Sequence, residues 1–167
     1  YKIGDMANDV YELPKKSSPV LTGVASAVHI TDGLENFEGM VELVFIQFQG
    51  YINIEQEGNY VFRLVSDDGS KLYIDNKEVV NNDGDHGSVG RDGEIILKKG
   101  RHTVRIGYYN NRGGYSVSLQ WAKHGDNKFS IVPNSVLSHN KKMFKKSSPY
   151  IPPADLLKNI PGDRTPL

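Results

Sequence analysis

The sequence predicts an all-β fold, an antiparallel two-sheet β-sandwich. About seven short segments rich in β-branched and aromatic residues are separated by turn signals roughly every eight to twelve residues, which is the pattern of such a sandwich. Within several of these segments apolar and polar residues alternate with the period of a half-buried strand. No stretch shows the amphipathic pattern of an α-helix of three turns.

The first predicted strands follow an irregular N-terminal segment of about forty residues. Val41–Ile54 (VELVFIQFQGYINI) predicts one strand or a bent pair of strands. A turn at Glu57–Asn59 leads into Tyr60–Val65, where apolar side chains alternate. Asp67–Gly69 interrupts that pattern, and Lys71–Asp75 predicts that a strand resumes.

The next part of the chain predicts a series of hairpins. Asn76-Lys77 is interpreted as a two-residue hairpin loop. A polar, glycine-rich loop is expected from Asn82 to Gly90. The remaining predicted strands are Glu78–Asn81, Glu94–Leu97, Arg101–Tyr109 and Tyr115–Trp121.

The chain is expected to divide into a sandwich domain over residues 1–140, with its core at about 11–137, and a basic, proline-rich C-terminal tail over residues 141–167. A solvated linker is favoured for the tail over a patch that binds phosphate or acidic glycan. The sequence opens at Tyr1 and shows no charged and apolar leader. We therefore expect it to be a module of a larger protein.

Composition excludes several classes of function. Hydrophobic residues make up 38% and charged residues 24%, which is typical of a folded globular domain. Twenty basic residues balance twenty acidic ones, so we expect no general attraction to nucleic acid or to an anionic membrane surface. No apolar run approaches the roughly 20 residues that span a bilayer, so we expect no direct membrane insertion. The chain has no cysteine, which excludes disulfides, thiolate zinc sites and a cysteine nucleophile.

Two adjacent carboxylates, Asp67 and Asp68, stand where a strand should simply turn. They repel each other unless a cation or hydrogen-bond donors compensate. Neighbouring strand residues point to opposite faces, so one ion can reach both only with an unusual backbone such as a cis peptide. Calcium, which takes six to eight oxygen ligands, suits such a pair. The alternative is that both are turn residues bonded to nearby amides.

Two polar loops carry further candidate residues. The first, Asn82–Gly90, supplies Asp83, Asp85 and His86, which either surround the direct ligands of a metal ion or contact a sugar at the edge of its site. This loop lacks the glutamate that completes a twelve-residue calcium loop. The second, Asn110–Gly114, predicts either a hairpin turn or a recognition loop whose amides and guanidinium bind sugar hydroxyls. Trp121 is expected in the core rather than stacked on a sugar.

No catalytic motif stands out. The sequence has no GxSxG elbow, no HExxH zinc pair and no phosphate-binding loop. Its carboxylates are no more numerous than any acidic surface offers, so they give no specific sign of a glycosidase. We therefore expect no enzymatic activity.

The order of motifs carries a resemblance to a known family. Within Phe48–Gly87 a G-x-Y-x-F motif is followed by SDDGS-x-L-x-ID, and Leu97–Trp121 continues with strands that close on a tryptophan. On these residues, and over about Tyr11 to Leu137, the chain closely resembles the protective-antigen (PA-14) domain family. The resemblance implies a jelly-roll-like sandwich found as a module beside glycosidases, adhesins, proteases and toxins.

The resemblance also implies a calcium-dependent sugar site. Lectin members of the family hold calcium with an Asp-cis-Asp pair, which Asp67 and Asp68 match, and with an asparagine from a later loop, which Asn110 matches. The metal then bridges to sugar hydroxyls. The residues expected near the sugar are Asn111, Arg112, Asp83 and His86.

The leading hypothesis is a non-catalytic, calcium-dependent carbohydrate-binding module of an exported protein, at the cell surface, outside the cell or in the periplasm. Its partners would be a glycan and the other domains of the parent protein. The alternative is a structural spacer or protein-interaction domain packed against a partner enzyme domain, which the proline-rich tail favours. A free-standing hydrolase has the least support.

Overall fold

The computed structural model describes residues 11, 15, 19, 22–31, 42–126 and 128–140. The predicted tail over 141–167 and most of the irregular N-terminal segment lie outside these residues. In the described part the chain forms two antiparallel sheets, which confirms the all-β sandwich. No described helix combines the length and the apolar character needed to cross a membrane.

The first sheet has the strand order β10-β2-β7-β4-β5. Its strands are β2 (Val44–Ile54), β4 (Ser70–Ile74), β5 (Lys77–Asn82), β7 (Gly100–Asn110) and β10 (Leu137–Ser138). The second sheet has the order β1-β8-β3-β6, with β9 paired to β8. Its strands are β1 (His29–Ile30), β3 (Gly58–Asp67), β6 (Val89–Leu97), β8 (Ser116–Lys123) and β9 (Ser130–Ile131). A short 3₁₀ helix (Asn134–Val136) precedes β10.

The core lies between the two sheets. Phe62, Leu64 and Leu119 of the second sheet are each at most 1% exposed, as are Ile52 and Ile106 of the first sheet. Phe62 and Leu64 alternate with more exposed neighbours along β3, which is the arrangement that the period-2 pattern predicts. The expectation that Trp121 contributes to the core is met in part, since it is partly buried and packs against this cluster.

A second, smaller cluster covers the outer face of the first sheet. Tyr11, Phe45 and Tyr109 are buried together there. The ring of Tyr11 lies against Gly107, where a Cβ atom would approach it to 2.5 Å. The glycine therefore makes room for an aromatic side chain from the N-terminal segment, which packs on the sandwich at this point.

Strand β6 is longer than predicted. It begins at Val89 rather than Glu94, and the preceding loop is correspondingly shortened to residues 83–88. The missed part is polar because its side chains face solvent, where Asp92 forms a two-point ion pair with Arg63 of β3 (2.6 and 2.8 Å). Such an exposed segment lacks the apolar alternation that identifies a strand.

The loop between β4 and β5 is Asp75-Asn76 and not Asn76-Lys77. Both residues have positive φ, +47° and +65°, and Lys77 already pairs with Ile74. A two-residue hairpin of this type needs left-handed conformations, which aspartate and asparagine adopt more readily than lysine.

Candidate functional site

The candidate residues gather at one end of the sandwich, which we call the Asp-pair end after Asp67 and Asp68. The connections after β3, β5 and β7 all reach it, since Asp68 at the β3–β4 connection contacts both other loops. Among the described residues, six polar side chains are buried, and five of these lie at this end. The five are Ser66, Asp68, Ser70, Asn82 and Asn110.

Asp68 is the centre of this arrangement. Its side chain is 6% exposed, and both of its oxygens accept backbone hydrogen bonds. Oδ1 accepts from the N–H of His86 at 3.0 Å, and Oδ2 accepts from the N–H of Asn111 at 2.9 Å. One carboxylate therefore ties the 83–88 loop to the β7–β8 loop. Each oxygen retains a lone pair, because an ionised carboxylate has about four acceptor positions.

Asp67 and Asn110 flank Asp68. The peptide bond between Asp67 and Asp68 is cis. The Asp67 carboxylate points to the β7–β8 loop, since its Oδ2 lies 3.0 Å from the position that a Cβ atom on Gly114 would take. The Asn110 side chain is fully buried; it contacts other residues, but its Oδ1 accepts no hydrogen bond from the described part of the chain.

A buried polar network supports the pair from below. Ser66 and Ser70, which bracket the Asp67–Gly69 segment, share a hydrogen bond of 2.7 Å between their hydroxyls. Asn82 donates from Nδ2 to Ser66 Oγ (2.9 Å) and to the carbonyl of Val89 (3.0 Å), which closes the base of the 83–88 loop. Buried polar groups are stable only when they are bonded in this way. The network fixes the loop relative to the pair.

The three polar side chains of the 83–88 loop have different partners. Asp83 binds Tyr11 and Lys71 on the outer side of the first sheet, at 3.3 and 3.1 Å. The ring nitrogens of His86 lie 2.9 Å from the carbonyl of Gly87 and 3.2 Å from that of Asn82, the last residue of β5, so His86 meets Asp68 through its backbone. Asp85, in contrast, faces the centre of the Asp-pair end.

Asp85 joins the two loops through their side chains. It accepts from Tyr109 Oη at 3.2 Å and from Asn111 Nδ2 at 3.3 Å. Sequence reasoning placed Asp85 in the loop but not among the residues nearest the ligand; its only signal is its place in the DGDHG run. Arg112 lies exposed at the tip of the β7–β8 loop and makes no hydrogen bond or ion pair to the described residues.

Two tyrosine hydroxyls remain donors in this setting. Burial, together with the carboxylates of Asp85, Asp83 and Asp68, raises the pKa of Tyr109 above its usual value. Burial and Asp83 raise the pKa of Tyr11 in the same way. Both phenols therefore stay protonated and hold the carboxylates of the 83–88 loop by donating to them.

The donor set agrees with calcium chemistry. Asp67 and Asp68 offer carboxylate oxygens and Asn110 an amide oxygen, which are hard donors of the kind that calcium prefers. Among the described residues no three acidic, histidine or cysteine side chains form a metal cluster, so a bound ion would need further ligands from backbone, water or the glycan itself. An acid pair with one amide suits a cation that accepts a mixed oxygen shell.

Comparisons with known proteins place this geometry in context. A family model described as "PA14 domain" matches residues 13–135. No curated protein matches the chain at a significant level.

Solved structures share the fold. An anti-sigma factor domain-containing protein from Clostridium clariflavum is 25% identical with a TM-score of 0.65, over 77% of this chain and 44% of that one. A structure described as the PA14 sugar-binding domain from an RTX adhesin is 26% identical with a TM-score of 0.52, over 57% and 54%. The PA14 domain of the antifreeze protein MpAFP is 18% identical with a TM-score of 0.53, over 57% and 51%, which shows the fold alone. The chain spans about half the length of these structures.

Proposed function

Since the chain belongs to the PA14 domain family, we propose that it is a non-catalytic carbohydrate-binding module of a larger exported protein. The convergence of three loops on the buried Asp68 carboxylate is the observation that carries the proposal. A small number of polar groups held in fixed positions is a usual feature of ligand sites. The similarity to a domain described as sugar-binding supports the same class of ligand.

In this proposal Asp67, Asp68 and Asn110 hold a calcium ion. When bound, the ion offers open coordination positions to a pair of sugar hydroxyls, because calcium takes six to eight oxygen ligands at flexible angles. The backbone amides of His86 and Asn111 hold Asp68 in position before any ion arrives. The protein's part is therefore to orient the oxygens.

The side chains around the ion would select the sugar. Asn111 lies beside the pair, because its backbone N–H donates a hydrogen bond to Asp68. Arg112, at the exposed tip of the β7–β8 loop, is available to a ligand. Asp85 adds a carboxylate between the two loops. Asp83 and His86, by contrast, have partners within the protein. Asp83 contacts Tyr11 and Lys71, and the His86 ring contacts the carbonyls of Asn82 and Gly87, so both side chains hold the loop in shape.

Calcium titration by calorimetry tests the metal site. We expect the wild-type chain to bind calcium saturably and Asp67→Ala to lose that signal while it keeps the far-ultraviolet circular dichroism of a sandwich. Asp67 is the better choice than Asp68, because Asp68 also ties two loops together. Glu57→Gln, exposed on a turn at the opposite end, is the matched control and should bind like wild type. Wild-type protein without a calcium signal would refute the metal site.

A second variant leaves all proposed ligands in place. A Cβ atom on Gly114 would lie 3.0 Å from Asp67 Oδ2 and would displace that oxygen. We expect Gly114→Ala to weaken calcium binding about tenfold, equivalent to about 1.4 kcal/mol. Gly87→Ala, whose Cβ would meet open space in the neighbouring loop, should bind normally. Equal affinities of the two variants would contradict the proposed position of Asp67.

A glycan array, read with calcium and with EDTA, tests the ligand class. We expect calcium-dependent signals that vanish in Asp67→Ala. A folded, calcium-binding chain that leaves the array blank would favour the alternative of a spacer or protein-interaction domain. That alternative predicts that deletion of residues 141–167, which lie outside the described part, disrupts packing against a neighbouring domain.

A further inference from the structure

A groove of about 500 Å³ opens at the end of the sandwich opposite the Asp pair. It lies between the end of β2, the start of β3, the end of β8 and the 3₁₀ helix. Tyr60 lines the wall of the groove near one end of β3, and Asp67 lies near the other end. The rise per residue of a β-strand places the two residues about 23 Å apart. No residue of the Asp-pair end lines it, so it is a separate feature of the molecule.

Aromatic rings form one wall of the groove. Trp121 is partly buried there and stacks on Tyr60, with ring centroids 5.8 Å apart and planes inclined by 23°. Indole Nε1 is a donor only. Within the described chain it makes no hydrogen bond and is not among the fully buried polar atoms that lack one, so it keeps some contact with solvent.

The rim carries equal numbers of opposite charges. Glu55 and Asp126 face Lys123 and Lys128 around the opening. Lys123 Nζ donates to the side-chain oxygen of Gln56, which leaves the amide N–H groups of Gln56 as donors. Within the described residues Glu55 makes no ion pair, so its carboxylate is available as an acceptor.

The walls of the groove are held in place by hydrogen bonds. Tyr60 donates from its hydroxyl to the Gln56 carbonyl at 2.5 Å, and Trp121 is paired with Ser130 of β9. Asp126 accepts from the backbone N–H of Lys128 at 3.0 Å and so fixes the turn after β8. A pre-formed site of this kind spares a ligand the entropy of ordering loops.

We propose that this groove is a second ligand site, which takes a neutral sugar residue and needs no calcium. The aromatic wall suits the apolar face of a pyranose ring, which stacks as other apolar surfaces do on a large aromatic side chain. The mixed acceptors and donors of Glu55, Asp126 and Gln56 complement sugar hydroxyls. The balanced rim charge disfavours phosphate and other anions, and the volume fits a mono- or disaccharide. The proposal goes beyond the calcium site and does not depend on it.

The chain's single tryptophan makes the test direct, because its fluorescence reports on this groove. The Asp67→Ala chain in EDTA is titrated with cellobiose, maltose, lactose and N,N′-diacetylchitobiose. We expect at least one of them to change Trp121 emission saturably. Glu55→Gln should weaken that binding about tenfold or more, since it removes a charged hydrogen-bond acceptor. Glu57→Gln, on the same turn but outside the groove, should not.

Calorimetry on Trp121→Phe provides a second measurement, because phenylalanine keeps an aromatic ring on Tyr60 but lacks the indole N–H. Weaker binding of the same sugar by this variant supports the groove. The proposal is overturned if none of the four sugars changes the emission or if Glu55→Gln binds like Glu57→Gln. None of these results affects calcium-dependent glycan binding, which requires Asp67.

Discussion

Asp68 is expected to stabilise the fold in the absence of any metal, and the cost of its removal follows from its contacts. Asp68→Ala takes away the acceptor of two backbone N–H groups, those of His86 (3.0 Å) and Asn111 (2.9 Å). A buried donor left unsatisfied costs about 1–3 kcal/mol. Both bonds are only partly buried, and the substitution also relieves repulsion from Asp67, so we expect a total of about 2–4 kcal/mol.

Two companion variants separate the contributions. Asp68→Asn keeps one acceptor oxygen and turns an N–H₂ group toward the other donor, so about half of that loss is expected, roughly 1–2 kcal/mol. Asp67→Ala should cost less stability than Asp68→Ala, because the Asp67 carbonyl, which accepts from Tyr108 Oη at 2.7 Å, survives the substitution.

Urea denaturation in EDTA measures these differences. Trp121 fluorescence and far-ultraviolet circular dichroism should give coincident transitions, and the slope of the unfolding free energy against urea should not change between variants. An unfolding free energy of Asp68→Ala within about 0.5 kcal/mol of wild type would contradict this role of Asp68. An equal loss of stability in Asp67→Ala and Asp68→Ala would contradict it as well.

Two further predictions concern positions away from the Asp-pair end. Gly93→Ala should cost about 3 kcal/mol, because its Cβ would overlap the backbone carbonyl of Val79, whereas Gly58→Ala, in open space, should stay within about 1 kcal/mol in thermal melts. His102→Gln should cost up to about 1 kcal/mol at pH 5.5 and less at pH 9. Partial burial opposes the charged ring, but the 2.6 Å hydrogen bond with Asp75, the hydrogen bond with the Lys98 carbonyl and the charge of Asp75 together outweigh it and raise the pKa of His102. That stability is therefore complete below about pH 6.5 and lost as the pH rises through the raised pKa; an equal loss at both pH values would contradict it.

The strands that could be predicted are those with one buried face. Buried and half-buried residues alternate strictly along β4. The apolar residues Leu72 and Ile74 occupy buried positions of this alternation, so the sequence shows the same period. The first half of β6 has no such pattern, because its polar side chains face solvent and the Arg63–Asp92 ion pair holds it to β3. The two-residue strands β1, β9 and β10 are too short for any periodicity, so only their long-range pairing defines them.

For the candidate site, the sequence indicates key residues but not the long-range contacts that they make. Asp67 and Asp68 could be singled out because two adjacent carboxylates are costly without a partner. The contacts of Asp68 could not be predicted from the sequence. Asp68 contacts residues 18 and 43 positions away, and only the pairing of strands in both sheets brings those loops together. The roles of Asp83 and Asp85 depend on loop conformation in the same way. One binds Lys71 on the outer face, and the other lies between the loops.

The contacts of Asp68 also explain how the proposed metal site can be ordered before an ion binds. An isolated pair of carboxylates would separate by repulsion, and calcium binding would then have to bring them together and order two loops. Here the His86 and Asn111 amides hold one carboxylate in place, while the buried Ser66–Asn82 contact fixes the loop base. If calcium and a sugar bind here as proposed, most of the ordering cost has been met when the chain folds, which leaves binding free energy for these ligands. We therefore predict that calcium changes the stability of the Asp-pair end more than its shape.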